Sequence, residues 1–281
     1  MIARKPEWLR KKVSFQAKKE TDELLKDIGI ATICQEASCP NISECFSKKQ
    51  ATFLILGTIC TRACTFCDVS RGKPKPVDES EIWRVVEAVK RMKLENVVIT
   101  SVTRDDLSDG GAEHFVKCVK ALKKMKPDIK IELLIPDLNE DRNSIFKVSN
   151  SGADIVGHNV ETVPRRYDVR GGSEYRKSLR VLKLIKEANP HIKTKSAIML
   201  GLGETENEVI DVFEDLREAD CNFLSIGQYL SPSKKHTPVL EYIHPHQFDR
   251  YKHLALEMGF DFVMSSPYTR SSYMAHKYLS T

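Results

Sequence analysis

The chain has 281 residues, 41% of them hydrophobic and 30% charged, enough to bury a full core and about the length of one α/β barrel with extensions. Its formal charge of +5 comes from 44 basic and 39 acidic residues, and the basic ones are scattered, with no arginine-rich or aromatic-basic stripe that would argue for nucleic acid. No apolar run approaches the roughly 20 residues of a membrane-spanning helix. The basic opening from Met1 to Lys12 is interrupted by Pro6, Glu7 and Trp8 with no apolar core behind it, so no signal or transit peptide is expected. The expectation is a cytoplasmic protein with no membrane and no nucleic-acid partner. Its eight cysteines would stay reduced there, as metal ligands or buried apolar groups rather than disulfides.

The polar segment before residue 50 carries Cys34, Cys39 and Cys45 at C-x4-C-x5-C spacing, among residues too polar and helix-breaking for a buried apolar face. The first apolar run follows at 53–56 and ends at the turn-forming Gly57. Cys60-Thr-Arg-Ala-Cys64-Thr-Phe-Cys67 comes directly after it. Three thiolates in one loop at this spacing converge on adjacent corners of a cubic cluster, whereas tetrahedral zinc wants a fourth ligand close by, and none follows Cys67. The fourth iron is then left open for chemistry. A zinc knuckle or a cysteine-rich turn is the competing reading.

From here apolar runs rich in β-branched residues alternate with segments of helical period. The runs lie at 53–56, 97–100, 131–135, 154–158, 196–200 and 223–226, and each gap is long enough for a crossover helix, the pattern of βα units on a parallel sheet. Ile82, Val85, Val86, Val89 and Met92 share one helical face, with Asp78 and Glu81 as a capping box before them. Thr205 and Glu208 repeat that device before Val209, Val212, Phe213 and Leu216. Right-handed crossovers curl six such units into a full or partial barrel, with its active site at the strand C-terminal ends. Asp109-Gly110-Gly111 and Gly201-Leu-Gly-Glu204 fall at two of those ends, where glycine lets backbone approach a ligand. Asn159 and Glu161 alternate at a third, so both point to one side. Residues 1–50 and those after Pro232 fall outside the rhythm. Cys118 and Cys221 sit in apolar surroundings and read as core thiols, and the eight histidines form no metal pattern.

The C-x3-C-x2-C loop with Phe66 before its third cysteine resembles the radical S-adenosylmethionine superfamily. Two three-cysteine sets in one chain further point to two clusters. With Glu36-Ala-Ser-Cys39-Pro-Asn41, Thr100-Ser-Val-Thr-Arg-Asp-Asp106, His158-Asn-Val-Glu-Thr162, Gly227-Gln-Tyr-Leu230 and Arg270-Ser-Ser-Tyr273, the chain is similar over nearly its whole length to the lipoyl synthase family.

The resemblance implies an α/β fold, a partial TIM-type (β/α)6 barrel over 51–231. An extension over 1–50 carries the auxiliary cysteines, and one over 232–281 supplies a serine ligand and closes the site. It implies two [4Fe-4S] clusters. Cys60, Cys64 and Cys67 hold the one that binds and reductively cleaves S-adenosylmethionine. Cys34, Cys39 and Cys45 hold an auxiliary one, completed by Ser272 with Ser271 as the alternative. Phe66, Thr100, Gly110, Asn159, Glu161, Arg170 and Tyr229 are the implied cofactor contacts, and no side chain is assigned as acid or base. The implied reaction inserts sulfur from the auxiliary cluster at C6 and C8 of an octanoyl chain on a lysine. The carrier is a lipoyl carrier domain or glycine-cleavage H-type protein.

A ferredoxin- or flavodoxin-type electron donor and an iron-sulfur carrier that rebuilds the cluster are implied partners; from charge alone, Arg165, Arg166, Lys234 and Lys235 each read as part of a solvated basic face, with contact to an acidic carrier domain as the alternative. The chain departs from the family pattern at Tyr167-Asp-Val-Arg170, which runs into Gly171-Gly172 one residue short and without proline, and at Met274, where the family commonly has histidine. A methylthiotransferase-like enzyme of the same chemistry and a non-enzymatic iron-sulfur or zinc protein are the competing functions.

Overall fold

The computed structural model describes residues 5–10 and 15–279. Three helices, α1 (Phe15–Ile28), α2 (Ile33–Glu36) and α3 (Ile42–Ser47), precede the first long strand, with the two-residue β1 (Ala31–Thr32) between the first two. Six strands then match the six apolar runs: β2 (Thr52–Ile55), β3 (Asn96–Ser101), β4 (Lys130–Leu134), β5 (Ile155–Gly157), β6 (Lys193–Leu200) and β7 (Phe223–Gln228). The helices that link them are α4 (Ser80–Met92), α5 (Ala112–Met125), α6 (Arg142–Ser149), α7 (Tyr175–Ala188) and α8 (Glu206–Glu218). A further helix, α9 (Pro245–Glu257), leads into β8 (Phe262–Ser265), which pairs parallel with β7. The sheet therefore runs in sequence order from β1 to β8, with only the β1–β2 pair antiparallel. Residues of β2, β3, β4, β6 and β7 line one common cavity, so the sheet curls around it as a partial barrel.

The local reasons are ordinary ones. All four residues of β2 are buried, as a strand covered on both faces requires. On α4, Val85, Ala88, Val89 and Met92 face inward, while Trp83 is exposed. Thr205 and Glu208 form both halves of the expected capping box on α8. The box expected at Asp78 and Glu81 does not form. Asp78 accepts from the Ser80 N–H and hydroxyl, but Glu81 turns inward and accepts from the Leu56 and Gly57 N–H groups at 2.8 and 3.0 Å. Those two residues leave β2 with φ of 66° and 84°, a left-handed pair that strips the turn of its ladder partners. A buried carboxylate answers those donors, and the helix start gives it up.

Cys118 and Cys221 are fully buried in the core, as expected. On β4 and β6, Glu132 and Lys195 form a buried ion pair at 2.9 Å. The ammonium of Lys195 also lies 3.7 Å from the centre of the Tyr278 ring. The Tyr278 hydroxyl shares a hydrogen bond with Ser225 and donates to the Leu224 carbonyl. The segment after β8 thus packs into the barrel interior. It also meets the N-terminal helices: Asn41 donates to the Tyr268 carbonyl, and the Tyr273 hydroxyl donates to Glu44.

Candidate active site

The loop bearing Cys60, Cys64 and Cys67 is tied down on two sides. Thr61 donates its N–H and hydroxyl to the Thr103 carbonyl after β3, and Thr65 donates likewise to the Val169 carbonyl. Cys60 pairs with Arg71 as an isolated bridge that closes the loop's base. Between the first two cysteines stands Arg62, whose guanidinium donates to both oxygens of Asp105 and to both of Asp137. Burial alone would raise the Asp137 carboxyl. The Arg62 hydrogen bonds and charge, with His158 and Lys177, outweigh it and hold the group well below the usual carboxylate range. Sequence reasoning missed Arg62; its place inside the cysteine loop, with Asp105 in the Thr100-Ser-Val-Thr-Arg-Asp-Asp106 stretch, was the available signal.

Cys34 lies on α2, Cys39 in the turn after it and Cys45 on α3. Backbone bonds from Cys39 to Cys34 and from Cys45 to Asn41 fold this stretch tightly. The residues after β8 run against β7 beside it. A Cβ on Gly227 would stand 2.0 Å from the Thr269 carbonyl, so only glycine admits that approach. Ser271 donates to the Asn159 side-chain carbonyl at 3.0 Å, and Asn159 donates in turn to Glu161 at 3.0 Å. No hydrogen bond of the Ser272 hydroxyl occurs among the described residues.

A cavity of about 860 Å³ joins these parts. Cys34, Cys39, Cys45, Cys67, Phe66, Thr100, Asn159, Glu161, Tyr229 and Ser272 all line it. Cys60 and Cys64 belong to the same loop as Cys67 but lie outside that lining, as do Gly110 and Arg170. Gly110 has a packing reason instead: a Cβ there would come within 3.2 Å of the Leu138 backbone. Its neighbour Gly111 gives way to Leu56 in the same manner. Arg170 donates to the Asn159 carbonyl, the Tyr167 hydroxyl and the Ser178 hydroxyl. Thr100 donates to the Leu134 carbonyl, and the Tyr229 hydroxyl to the Thr237 carbonyl. Glu161 holds φ of 68° while its N–H and carbonyl bond to β6, backbone strain of the kind that collects at functional sites.

Electrostatics group the thiols as the spacing did. Burial pushes Cys34 up to about 12, and Cys39 and Cys45 add to it by like-charge repulsion. Burial likewise pushes Cys67 up to about 12, with Cys64 and Cys60 adding to it. Cys64 is raised by burial against the pull of Arg170. Such thiols stay protonated until a cation sits among them, and a bound metal reverses that balance. Among the described residues no three or more His, Cys, Asp or Glu side chains are gathered as a site for one metal ion. A cubic cluster asks for thiolates spread over separate irons, and two mutually repelling soft-donor triads fit that demand.

The sequence profile of the Radical SAM superfamily matches residues 54–216. The lipoyl synthase of Caldicellulosiruptor saccharolyticus is 54% identical over 279 residues, 99% of this chain and 98% of that protein. That of Geotalea daltonii is 53% identical over 277 residues, 99% and 94% of the two chains. Among solved structures, methylornithine synthase superposes with a TM-score of 0.57 at 15% identity, over 89% of this chain and 78% of that one. The hydrogenase maturase HydG from Carboxydothermus hydrogenoformans does so with 0.57 at 12% identity, over 94% and 78%. At such identities the structural likeness speaks for the fold, the superfamily's partial barrel. The full-length identities speak for more: this chain belongs to the lipoyl synthase family of the radical S-adenosylmethionine superfamily.

Proposed function

We propose that this chain inserts two sulfur atoms at C6 and C8 of an octanoyl group held as an amide on a lysine. The carrier is a lipoyl carrier domain or glycine-cleavage H-type protein. The observation that carries the reading is the single cavity bordered by members of both cysteine triads and by Ser272. In this reading Cys60, Cys64 and Cys67 hold the [4Fe-4S] cluster that binds S-adenosylmethionine, and Cys34, Cys39, Cys45 and Ser272 hold the auxiliary one. When bound, the first cluster would pass one electron to S-adenosylmethionine and so split it into methionine and a 5'-deoxyadenosyl radical able to take hydrogen from unactivated carbon, and the second would supply the sulfur.

The protein's own side chains bind and orient. Ser271 is engaged with Asn159, which supports Ser272 as the ligand. Phe66, Thr100, Asn159, Glu161 and Tyr229 face the space where a nucleoside and amino-acid moiety would lie. Arg170 acts from behind by fixing the backbone of Asn159, whereas Gly110 acts only through the turn it allows beside Leu138. Residues 1–50 and 232–281, which add β1 and β8 to the sheet, work as two halves of one auxiliary site on the barrel built from 51–231. A ferredoxin- or flavodoxin-type donor supplies electrons, and an iron-sulfur carrier restores the spent cluster, in the cytoplasm. No helix among the described residues is long and apolar enough to cross a membrane.

Mass spectrometry of an octanoyl-lysine peptide after anaerobic incubation with the reconstituted chain, S-adenosylmethionine and a reductant tests this. A gain of two sulfurs is expected, from protein loaded with about eight irons per chain. Zinc without iron in the purified protein, or a peptide that gains no sulfur, defeats it.

A further inference from the structure

Arg62 and Arg104, two arginines drawn from solvent near the cysteine loop, both hold carboxylates: Asp105 and Asp137 for the first, Asp106 for the second. Arg270 does not. Its guanidinium donates to the carbonyls of Thr269 at 2.7 Å and Pro267 at 3.4 Å, and it forms no ion pair among the described residues. Leaving a partly buried cation with only carbonyl partners is costly unless another anion is to come.

The position of the guanidinium indicates which anion that is. Arg270 lines the cavity together with Cys34, Cys39, Cys45 and Ser272. A Cβ on Gly227 would stand 3.4 Å from the Arg270 Nη1, so the strand opposite leaves room for the fork. Three thiolates and a serine alkoxide carry more negative charge than a [4Fe-4S] core neutralises, so the filled site is net negative. Arginine stays charged at any working pH, and the net charge around a cluster sets its reduction potential.

We propose that Arg270 is the fixed counter-cation of the auxiliary site, a positioning residue that retains the net-negative ligand set and keeps its cluster easier to reduce. This rests on the assignment of Cys34, Cys39, Cys45 and Ser272 given above. The test uses the full chain with Cys60, Cys64 and Cys67 replaced by alanine, reconstituted anaerobically with iron and sulfide, so that iron content and a redox titration followed by paramagnetic resonance report the auxiliary site alone. Adding Arg270→Gln is expected to move the midpoint potential to a more negative value and to speed iron loss to a chelator several-fold. Arg270→Lys, which keeps the charge but loses the grip on two carbonyls, is expected to hold the parent potential.

A Gln variant that titrates where its parent does overturns the proposal. So does a Lys variant displaced as far as the Gln one or, where the Gln variant does not fold by circular dichroism, a Lys variant displaced from the parent at all. A triple-alanine parent that takes up no iron defeats the cluster assignment itself, and the proposal with it.

Discussion

The two cysteine triads are built in opposite ways. Cys60, Cys64 and Cys67 lie within eight residues of chain, on a loop that leaves β2 and is pinned by Thr61, Arg62 and Thr65 to neighbouring barrel loops. Cys34 and Cys45 lie on short helices that precede β2, with Cys39 in the turn between them, and the serine proposed to complete their site comes from beyond β8. That second site is held by contacts between distant stretches, Asn41 to Tyr268 and Glu44 to Tyr273. The difference teaches that one site is a property of a loop and the other of the finished tertiary structure. A reactive centre meant to persist gains from the first arrangement, while one that must open and be refilled gains from the second.

The strongest break in the comparison is chemical. Cys64→Ala is expected to abolish 5'-deoxyadenosine formation, whereas Cys39→Ala leaves that product and stops sulfur insertion, both read by chromatography of one anaerobic reaction. A Cys39 variant that still yields lipoyl peptide would end the division of labour. Next comes the serine pair. Ser272→Ala is expected to lose iron from the auxiliary site during gel filtration, while Ser271→Ala retains it and loses about 1 kcal/mol of stability with the bond to Asn159. The reverse pattern reassigns the ligand.

Arg62→Ala tests the pinned loop. Removing one partner of a buried pair costs about 3–5 kcal/mol, and the lower end is expected because Lys177 remains 3.2 Å from Asp137. The folded-state pKa of Asp137 is depressed, so the stabilisation is present above the unfolded carboxylate value. It fades as pH falls below about 4. Urea melts of both chains at pH 7 should therefore differ, and the gap should narrow in acid; a gap independent of pH rejects the pairing as its source. The smallest effect is expected at Tyr278→Phe, about 1 kcal/mol. It should appear as faster limited proteolysis after residue 265, with the cysteine loop unaffected.

The same contrast decided what the sequence disclosed. The six strands were legible because each is a short buried run bounded by turn residues and followed by a helical period. The strand β8 was not: Phe262, Met264 and Ser265 are only partly buried, so its four residues carry little pattern. Both cysteine triads were readable from spacing, as local order is written in local sequence. Spacing is silent about partners far along the chain, and the two serines of Arg270-Ser-Ser-Tyr273 separate only once Asn159 is seen to engage Ser271. Glu81 misled for a related reason: its role as a cap is local, but the demand of Leu56 and Gly57 is tertiary.

The link from Ser271 through Asn159 to Glu161 has a consequence in the order of synthesis. A chain is made from its N-terminus, so the barrel strands and the cysteine loop emerge before residues 262–279. Asn159 and Glu161 are thus complete as backbone while their serine partner has yet to be translated. On the proposed assignment, the Cys60–Cys67 loop is complete on a nascent chain, whereas the auxiliary site awaits its serine.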